Sequence, residues 1–318
     1  MSEPSAVPQP AGKMAPDSSS EGPFVGSEGK LRPIWRALIF VVAGALLGPV
    51  LGTPFFILGN WLGIAPGLTP GGIGLGELSN FTIALVTTGA FALYESRRID
   101  SYGLPLNRAL SRETVEGLIA GVLMAGAVGL GMLLLGGMQV GGMALHGSDV
   151  FFAALAWLVA NICVGVAEEF WFRSYLQITL WESIGFWPAS IVIALIFAAL
   201  HYFFKPDENV WDVITLISIS LLLSYSLLRT GTLWFAVGFH IAFDYMQLFV
   251  IGTPNGGRVP AKHLLKTSFH GPAWLTGGPL GTEASWLMYP MIALLWIYVW
   301  RRYEPAKAEE LITETSNQ

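Results

Sequence analysis

Long apolar runs with almost no charge dominate this sequence. Residues 37–61, 78–94, 118–145, 151–167, 187–204, 213–228, 231–251 and 284–300 are rich in Leu, Ile, Val, Phe, Ala and Gly. About 20 such residues are what a helix needs to cross the hydrocarbon of a bilayer. Lipid offers no partner for a bare N–H or C=O, so spanning segments close their hydrogen bonds internally as helices. The pattern predicts an all-α fold, a polytopic membrane bundle of about eight transmembrane helices. Of the 318 residues 53% are hydrophobic and 12% charged. A soluble domain carries about 25% charged residues, so this chain has too little polar surface to face water on all sides.

The segments outside the runs set limits. Residues 1–32 are rich in Ser, Pro, Gly and Glu without a hydrophobic period, which reads as a disordered tail. The membrane domain is expected over residues 33–303, with a short tail over 304–318. No apolar stretch lies close enough to the start for a cleaved signal peptide, so the first span is expected to serve as the insertion signal. Thirteen of the 17 Lys and Arg fall on the side of the two termini, and Lys205, Arg258, Lys262 and Lys266 fall on the other. Basic residues accumulate on the cytoplasmic side of a membrane protein, so both termini are expected there. Net charge is −5 and no basic cluster resembles a nucleic-acid surface. Cys163 is the only cysteine, which excludes an intrachain disulfide and a Cys-rich metal site. Gly117-x-x-x-Gly121 reads as close helix packing. The stretch 71–76 reads as a glycine-rich loop that follows no strand and so makes no dinucleotide fingerprint.

Ionisable side chains inside the runs carry the functional signal, because each costs roughly 2.5–3.5 kcal/mol to insert at mid-membrane. They fall in three segments. In Glu168-Glu169-Phe170-Trp171-Phe172-Arg173, the Glu169 and Arg173 side chains share one helix face and can pair, while Glu168 is rotated about 100° away without that partner. His201 lies near the end of the fifth run. His240 and Asp244, at i and i+4, project from one face of the seventh. One carboxylate with two imidazoles and an aspartate supports two kinds of hydrolysis. Glu168, His201 and His240 can hold Zn2+ or another divalent metal with an open position for water. Alternatively Glu168 activates water directly while the other groups stabilise an oxyanion, with no metal.

In order, spacing and hydrophobic setting, Glu168-Glu169-x-x-x-Arg173, then Phe197-x-x-x-His201, then His240-x-x-x-Asp244 resemble the three motifs of the CPBP (ABI) family. That family contains type II CAAX prenyl endopeptidases and bacteriocin-processing or bacteriocin-immunity membrane proteins. The resemblance covers roughly residues 95–300, and Leu275-Thr-Gly-Gly-Pro-Leu-Gly-Thr-Glu283 is similar to the glycine-rich stretch before the last helix of bacterial members. It implies an intramembrane endopeptidase whose catalytic cavity opens to the cytoplasm. A peptide or membrane-anchored protein would be the substrate, and a bacterial inner membrane the setting. Carried over by position, Glu168 would activate water and His201 would assist. His240 and Asp244 would form an oxyanion hole or part of a metal shell, and Glu169 with Arg173 would hold the helix in place. Many members have Asn where this chain has Asp244. An ionised Asp cannot donate to an oxyanion, so Asp244 either stays protonated or orients His240.

Two rival classes use the same residues. A proton- or cation-coupled transporter would employ Glu168, His201, His240 and Asp244 as a relay, and would be built from two related halves that the sequence does not display. A bacteriocin-immunity or scaffold protein would keep the fold without catalysis. The depth of the groups is a constraint on all three readings. With a fourth span that ends at residue 167, Glu168 and His201 would lie on the order of 10–20 Å apart in depth at a rise of about 1.5 Å per residue. The site closes only if the fourth helix continues past Arg173 or the helices tilt or break.

Overall fold

A computed structural model describes residues 22–26 and 29–304. The chain folds as a polytopic helical bundle, with a helix at each of the eight expected places: α1 (Pro33–Trp61), α2 (Pro70–Glu95), α3 (Arg112–Leu134), α4 (Ser148–Arg173), α6 (Phe186–Phe204), α7 (Val210–Thr230), α8 (Trp234–Asp244) and α10 (Met288–Arg302). The connections add α5 (Tyr175–Ile184), α9 (Ala273–Thr276) and a two-stranded antiparallel ribbon of β1 (Met138–Met143) and β2 (Leu265–Phe269). Among the described residues, 6 helical segments are long and apolar enough to cross a membrane. α2 and α10 fall outside that set. α2 carries Glu77 and Glu95 among many small polar residues, and α10 has only 15 residues.

Three expectations need correction. The third run does not stay helical to residue 145. α3 ends at Leu134, Gly136 turns the chain at φ 77°, and β1 then pairs with β2 from Met138 opposite Phe269. Gly136-Gly137 and Gly141-Gly142 explain the change, since glycine is a poor helix former and hydropathy does not register it. Second, the stretch 71–76 is not a loop but the first turns of α2. The Thr69 side chain accepts a hydrogen bond from the Gly72 N–H, and Pro70 begins the helix, the usual N-terminal signature of a helix. Third, the end of the tail is built into the fold. Val25 bridges Leu31, the Trp35 indole donates to the Pro23 carbonyl, and the Leu31 N–H donates to the Tyr94 hydroxyl. The rest of the expected tail (1–21, 27–28), and 305–318 at the other end, lies outside the described residues.

α3 and α8 are the most closely packed pair, and small residues make this possible. A Cβ on Gly117 would lie 2.2 Å from the Phe235 carbonyl oxygen, one on Gly121 2.4 Å from that of Phe239, and one on Gly238 2.3 Å from that of Thr114. The backbones touch, as the Gly-x-x-x-Gly spacing predicts. α8 also packs on α4, where a Cβ on Gly165 would meet Ile241 at 2.8 Å. α4 and α8 carry most of the ionisable residues of the site, so these contacts set their register. Gly121→Val in purified protein is expected to lower thermal stability by more than the ~1–3 kcal/mol of ordinary overpacking, because backbone cannot move aside as a side chain can. A melting temperature in detergent equal to that of the wild type would contradict this packing.

Candidate active site

α4 runs unbroken through Arg173, and the helical stretch from Ser148 to Ile184 is 37 residues long. Its only break is at Ser174, whose ψ of −116° separates α4 from α5, and Gly185 at φ 85° then starts α6. Trp171 packs against Gly44 in α1 and Phe170 against Phe81 in α2. Glu168 therefore lies level with the middle of its neighbours, not at a membrane surface. The fourth helix continues past residue 167, as closure of the site requires.

Six sequence-derived residues gather on this framework. Glu169 is fully buried, and its Oε1 accepts from Arg173 Nη1 at 2.7 Å and from His240 Nδ1 at 3.0 Å. Arg173 is 1% exposed, donates through Nη2 to Ser220 Oγ at 2.8 Å, and lies over the Phe197 ring. His240 Nε2 points the other way, 3.6 Å from Glu168 Oε2 and 3.7 Å from Asp244 Oδ2. Both separations exceed a hydrogen bond. Among the described residues Glu168 Oε2 has no hydrogen-bond partner. His201 spends Nδ1 on the Phe197 carbonyl at 2.9 Å, which leaves Nε2 as the nitrogen open to another partner.

Glu168, His201, His240 and Asp244 line one cavity of about 170 Å³, and Glu168 and His201 also line an adjoining cleft of about 770 Å³ between α1, α2, α4 and α6. One expectation changes here. The carboxylate that orients His240 is Glu169, from another helix, and not Asp244. Glu169 and Arg173 therefore hold an imidazole as well as their own helix, in the manner of the carboxylate partners that fix histidine tautomers elsewhere. For a metal, the three residues named from sequence do not fit: among the described residues no three His, Cys, Asp or Glu side chains form a group that could hold an ion.

Three residues of the cavity were not singled out from sequence. Glu77 lines both spaces and accepts from Asn80 Nδ2 at 3.2 Å. It lies one residue before the apolar run 78–94, and Thr69-Pro70 marks the helix start that places it inside α2. Lys205, at the end of α6, pairs with Glu283 Oε2 at 2.9 Å. Glu283 belongs to the glycine-rich stretch, where Gly281 at φ 68° lies so close to Thr253 and Pro254 that no side chain fits. Burial pushes the Glu283 carboxyl up, but the ammonium of Lys205 more than reverses this and holds it below the ordinary carboxylate range. Nothing in the sequence pairs Lys205 with Glu283 across 78 positions.

The cavity occupies one end of the bundle. It reaches from mid-depth to the connections around Leu68, Lys205, Asn255 and Glu283. Below it, Leu104, Leu227, Leu233, Trp234 and Val237 form a buried apolar layer. The helices alternate in direction, so α1 begins and α10 ends on the side of this layer.

The elements so far define a helical membrane protein with a polar, water-sized centre inside the bundle. A family model described as Rce1-like, type II CAAX prenyl endopeptidase, matches residues 150–246. This segment holds Glu168, Glu169, Arg173, His201, His240 and Asp244, and the match bears out the resemblance to the CPBP family of membrane proteases. No curated protein matches the chain.

The Glu169–Arg173 pair gives a stability prediction. Removing one partner of a buried pair leaves an uncompensated charge and costs about 3–5 kcal/mol. Arg173→Met is expected to lose that much in a denaturation series in detergent, and Arg173→Met combined with Glu169→Gln to regain part of it. Additive losses in the double variant would mean that the two side chains do not depend on each other.

Proposed function

We propose that this protein is an intramembrane endopeptidase that hydrolyses a peptide bond with Glu168 as the base that activates water. One observation carries the reading. Glu168 lines a cavity the size of a few waters, its buried Oε2 without a hydrogen-bond partner among the described residues, next to an imidazole locked in place by a buried ion pair.

The steps follow from which atoms are free. Glu168 takes a proton from a water molecule, whose oxygen adds to the carbonyl carbon of the scissile bond. His201, with Nδ1–H committed to the Phe197 carbonyl, offers the Nε2 lone pair to the same water and steers it. His240 keeps its Nδ1–H on Glu169. In its doubly protonated form its Nε2–H, near but not bonded to Glu168 and Asp244, is available to the oxyanion. The tetrahedral adduct collapses as Glu168 passes its proton to the leaving amine. Asp244 stands 3.7 Å from Nε2, close enough to attract its proton without being bonded to it. General base catalysis contributes about 10²–10⁴-fold and an oxyanion donor about 10²–10³-fold.

The likeness to type II CAAX prenyl endopeptidases supports a peptide or protein substrate held in or at the membrane. The cleft beside Glu168 suits such a substrate, since Val41, Gly44 and Gly48 of α1 and Leu200 and Phe204 of α6 give it apolar walls. Glu168→Gln keeps the shape and removes the base, so cleavage of a membrane-anchored peptide reporter by the purified variant is expected to fall by about 10²–10⁴-fold in kcat. Wild-type turnover by that variant would remove Glu168 from the chemistry. The same assay in excess chelator is expected to retain full activity. Loss in chelator with recovery on adding a divalent ion would replace the metal-free scheme by the metal-dependent one.

A further inference from the structure

We infer that Glu77 is a specificity residue of this site, placed to take the side chain of a Lys or Arg beside the scissile bond of the substrate. The word substrate rests on the hydrolase reading above, whereas the choice of a basic group rests on where the charges of the site stand. Glu77 lies outside the segment that matches the family model, residues 150–246, and takes no part in the steps given above.

Position comes first. Ile73, Glu77, Glu168, His201 and Lys205 line both the smaller cavity and the adjoining cleft, so together they form the neck between the two. Ile73 and Glu77 stand one turn apart on α2, His201 and Lys205 one turn apart at the end of α6, and Glu168 lies on α4. Two contacts of α2 with α4 fix the depth of Glu77. A Cβ on Gly74 would meet the Ala160 Cα at 3.6 Å, and the Phe81 ring packs on that of Phe170 with centroids 5.5 Å apart. Glu77 and Glu168 fall between these two contacts on their respective helices. A chain that passes from the cleft into the cavity with a carbonyl carbon beside Glu168 therefore brings a neighbouring side chain against Ile73 and Glu77. A Lys or Arg suits that wall, since its aliphatic stem covers Ile73 while its head reaches the carboxylate.

Charge decides which side chain is taken. The lining of the cavity holds the carboxylates of Glu77, Glu168, Asp244 and Glu283, and the permanent cations Arg173 and Lys205. Both cations are already paired. Arg173 meets Glu169 at 2.7 Å, and Lys205 meets Glu283 at 2.9 Å and Glu208 at 3.2 Å. His240, bound to Glu169, stands near Glu168 and Asp244. Glu77 is left with a neutral partner, the Asn80 amide at 3.2 Å. A carboxylate that a bound chain cuts off from water without a counter-charge is costly, so a neutral residue at this place is disfavoured and an acidic one is repelled. An ammonium or guanidinium supplies the missing charge. Lys205, at the same neck, offers no matching place for an acidic residue because its charge is already balanced.

Peptide specificity tests this. Membrane-anchored reporters of one sequence, with the N-terminus acetylated, carry Lys, Gln or Glu in turn at each residue flanking the scissile bond. At one of these positions the wild-type protein is expected to favour Lys over Gln in kcat/KM by about tenfold or more, with Glu the poorest. Glu77→Gln is expected to bring the Lys-to-Gln ratio close to one, and Glu77→Lys to favour Glu over Lys. Each ratio is internal to one protein sample, so a variant that accumulates poorly still reports it. No preference for Lys at any position, or a preference that Glu77→Gln leaves intact, overturns the inference. A preference that arises only in reporters with a free N-terminus overturns it too, since the cation read would then be the terminal amine. The same peptides bound to Glu168→Gln protein, with and without Glu77→Gln and followed by fluorescence anisotropy, are expected to show the Lys preference in affinity without turnover. Absence of cleavage by the wild-type protein is a failure of the hydrolase reading, whereas indifference of affinity to Glu77→Gln is a failure of this inference.

Discussion

A carboxylate buried without any exposed surface is the constraint on which the rest of this bundle depends. Glu169 could not remain charged in an apolar interior without compensation, because isolated charges are expensive to desolvate. Three helices supply it. Arg173 comes from the next turn of α4, Ser220 on α7 holds the far side of the guanidinium, and His240 on α8 donates to the same oxygen. α4, α7 and α8 are thereby tied at one depth. The glycine contacts of α3 with α8 support the arrangement from behind, since any shift of α8 along its axis would move His240 off Glu169. Stability and orientation of the site come from the same bonds.

That arrangement explains why adjacent glutamates serve different purposes. Glu168 and Glu169 differ by one position, and therefore by about 100° around the helix. One faces the junction of α7 and α8 and is consumed by it. The other faces the cavity, 21% exposed, with its Oε2 unbonded. A single helix turn thus delivers both a carboxylate fixed by its partners and one left facing the cavity, and only the register of α4 determines which is which.

Much of this was legible in the sequence, for physical reasons. Charged groups are so costly in lipid that Glu168, Glu169, Arg173, His240 and Asp244 stand out from their runs, and the spacing of Glu169 and Arg173 by four announces their pairing. The location of all eight helices follows from hydropathy alone. The orienting partner of His240 was not legible, because i,i+4 proximity pointed to Asp244 and nothing local announces a contact across 71 positions. Glu77 was hidden by glycines that weaken the apolar signal, though Thr69 and Pro70 marked the helix start. The ribbon of β1 and β2 was hidden for the opposite reason, since residues 138–143 are apolar enough to prolong a helix that glycine had already ended.

The position of the polar groups also separates a hydrolase from a relay. A transporter must connect its titratable centre to both faces of the membrane in turn. Here the residues of the smaller cavity run from mid-depth toward Leu68, Lys205, Asn255 and Glu283. The other large buried network, in which Glu95 meets Arg36, Arg97, Tyr102 and Tyr175, sits on the side where α1 begins. It joins α1, α2 and α5 through groups that satisfy one another. Between the two networks lie Ala84, Leu104, Phe170, Leu227 and Leu233, packed and apolar. Moving an ion past them would require α8 to separate from the connection pinned by Trp234, and also from α3, against which its backbone is in direct contact. A hydrolase needs no such passage. It needs access for substrate and water beside rigid polar groups, and the cavity and its adjoining cleft share Glu168 and His201.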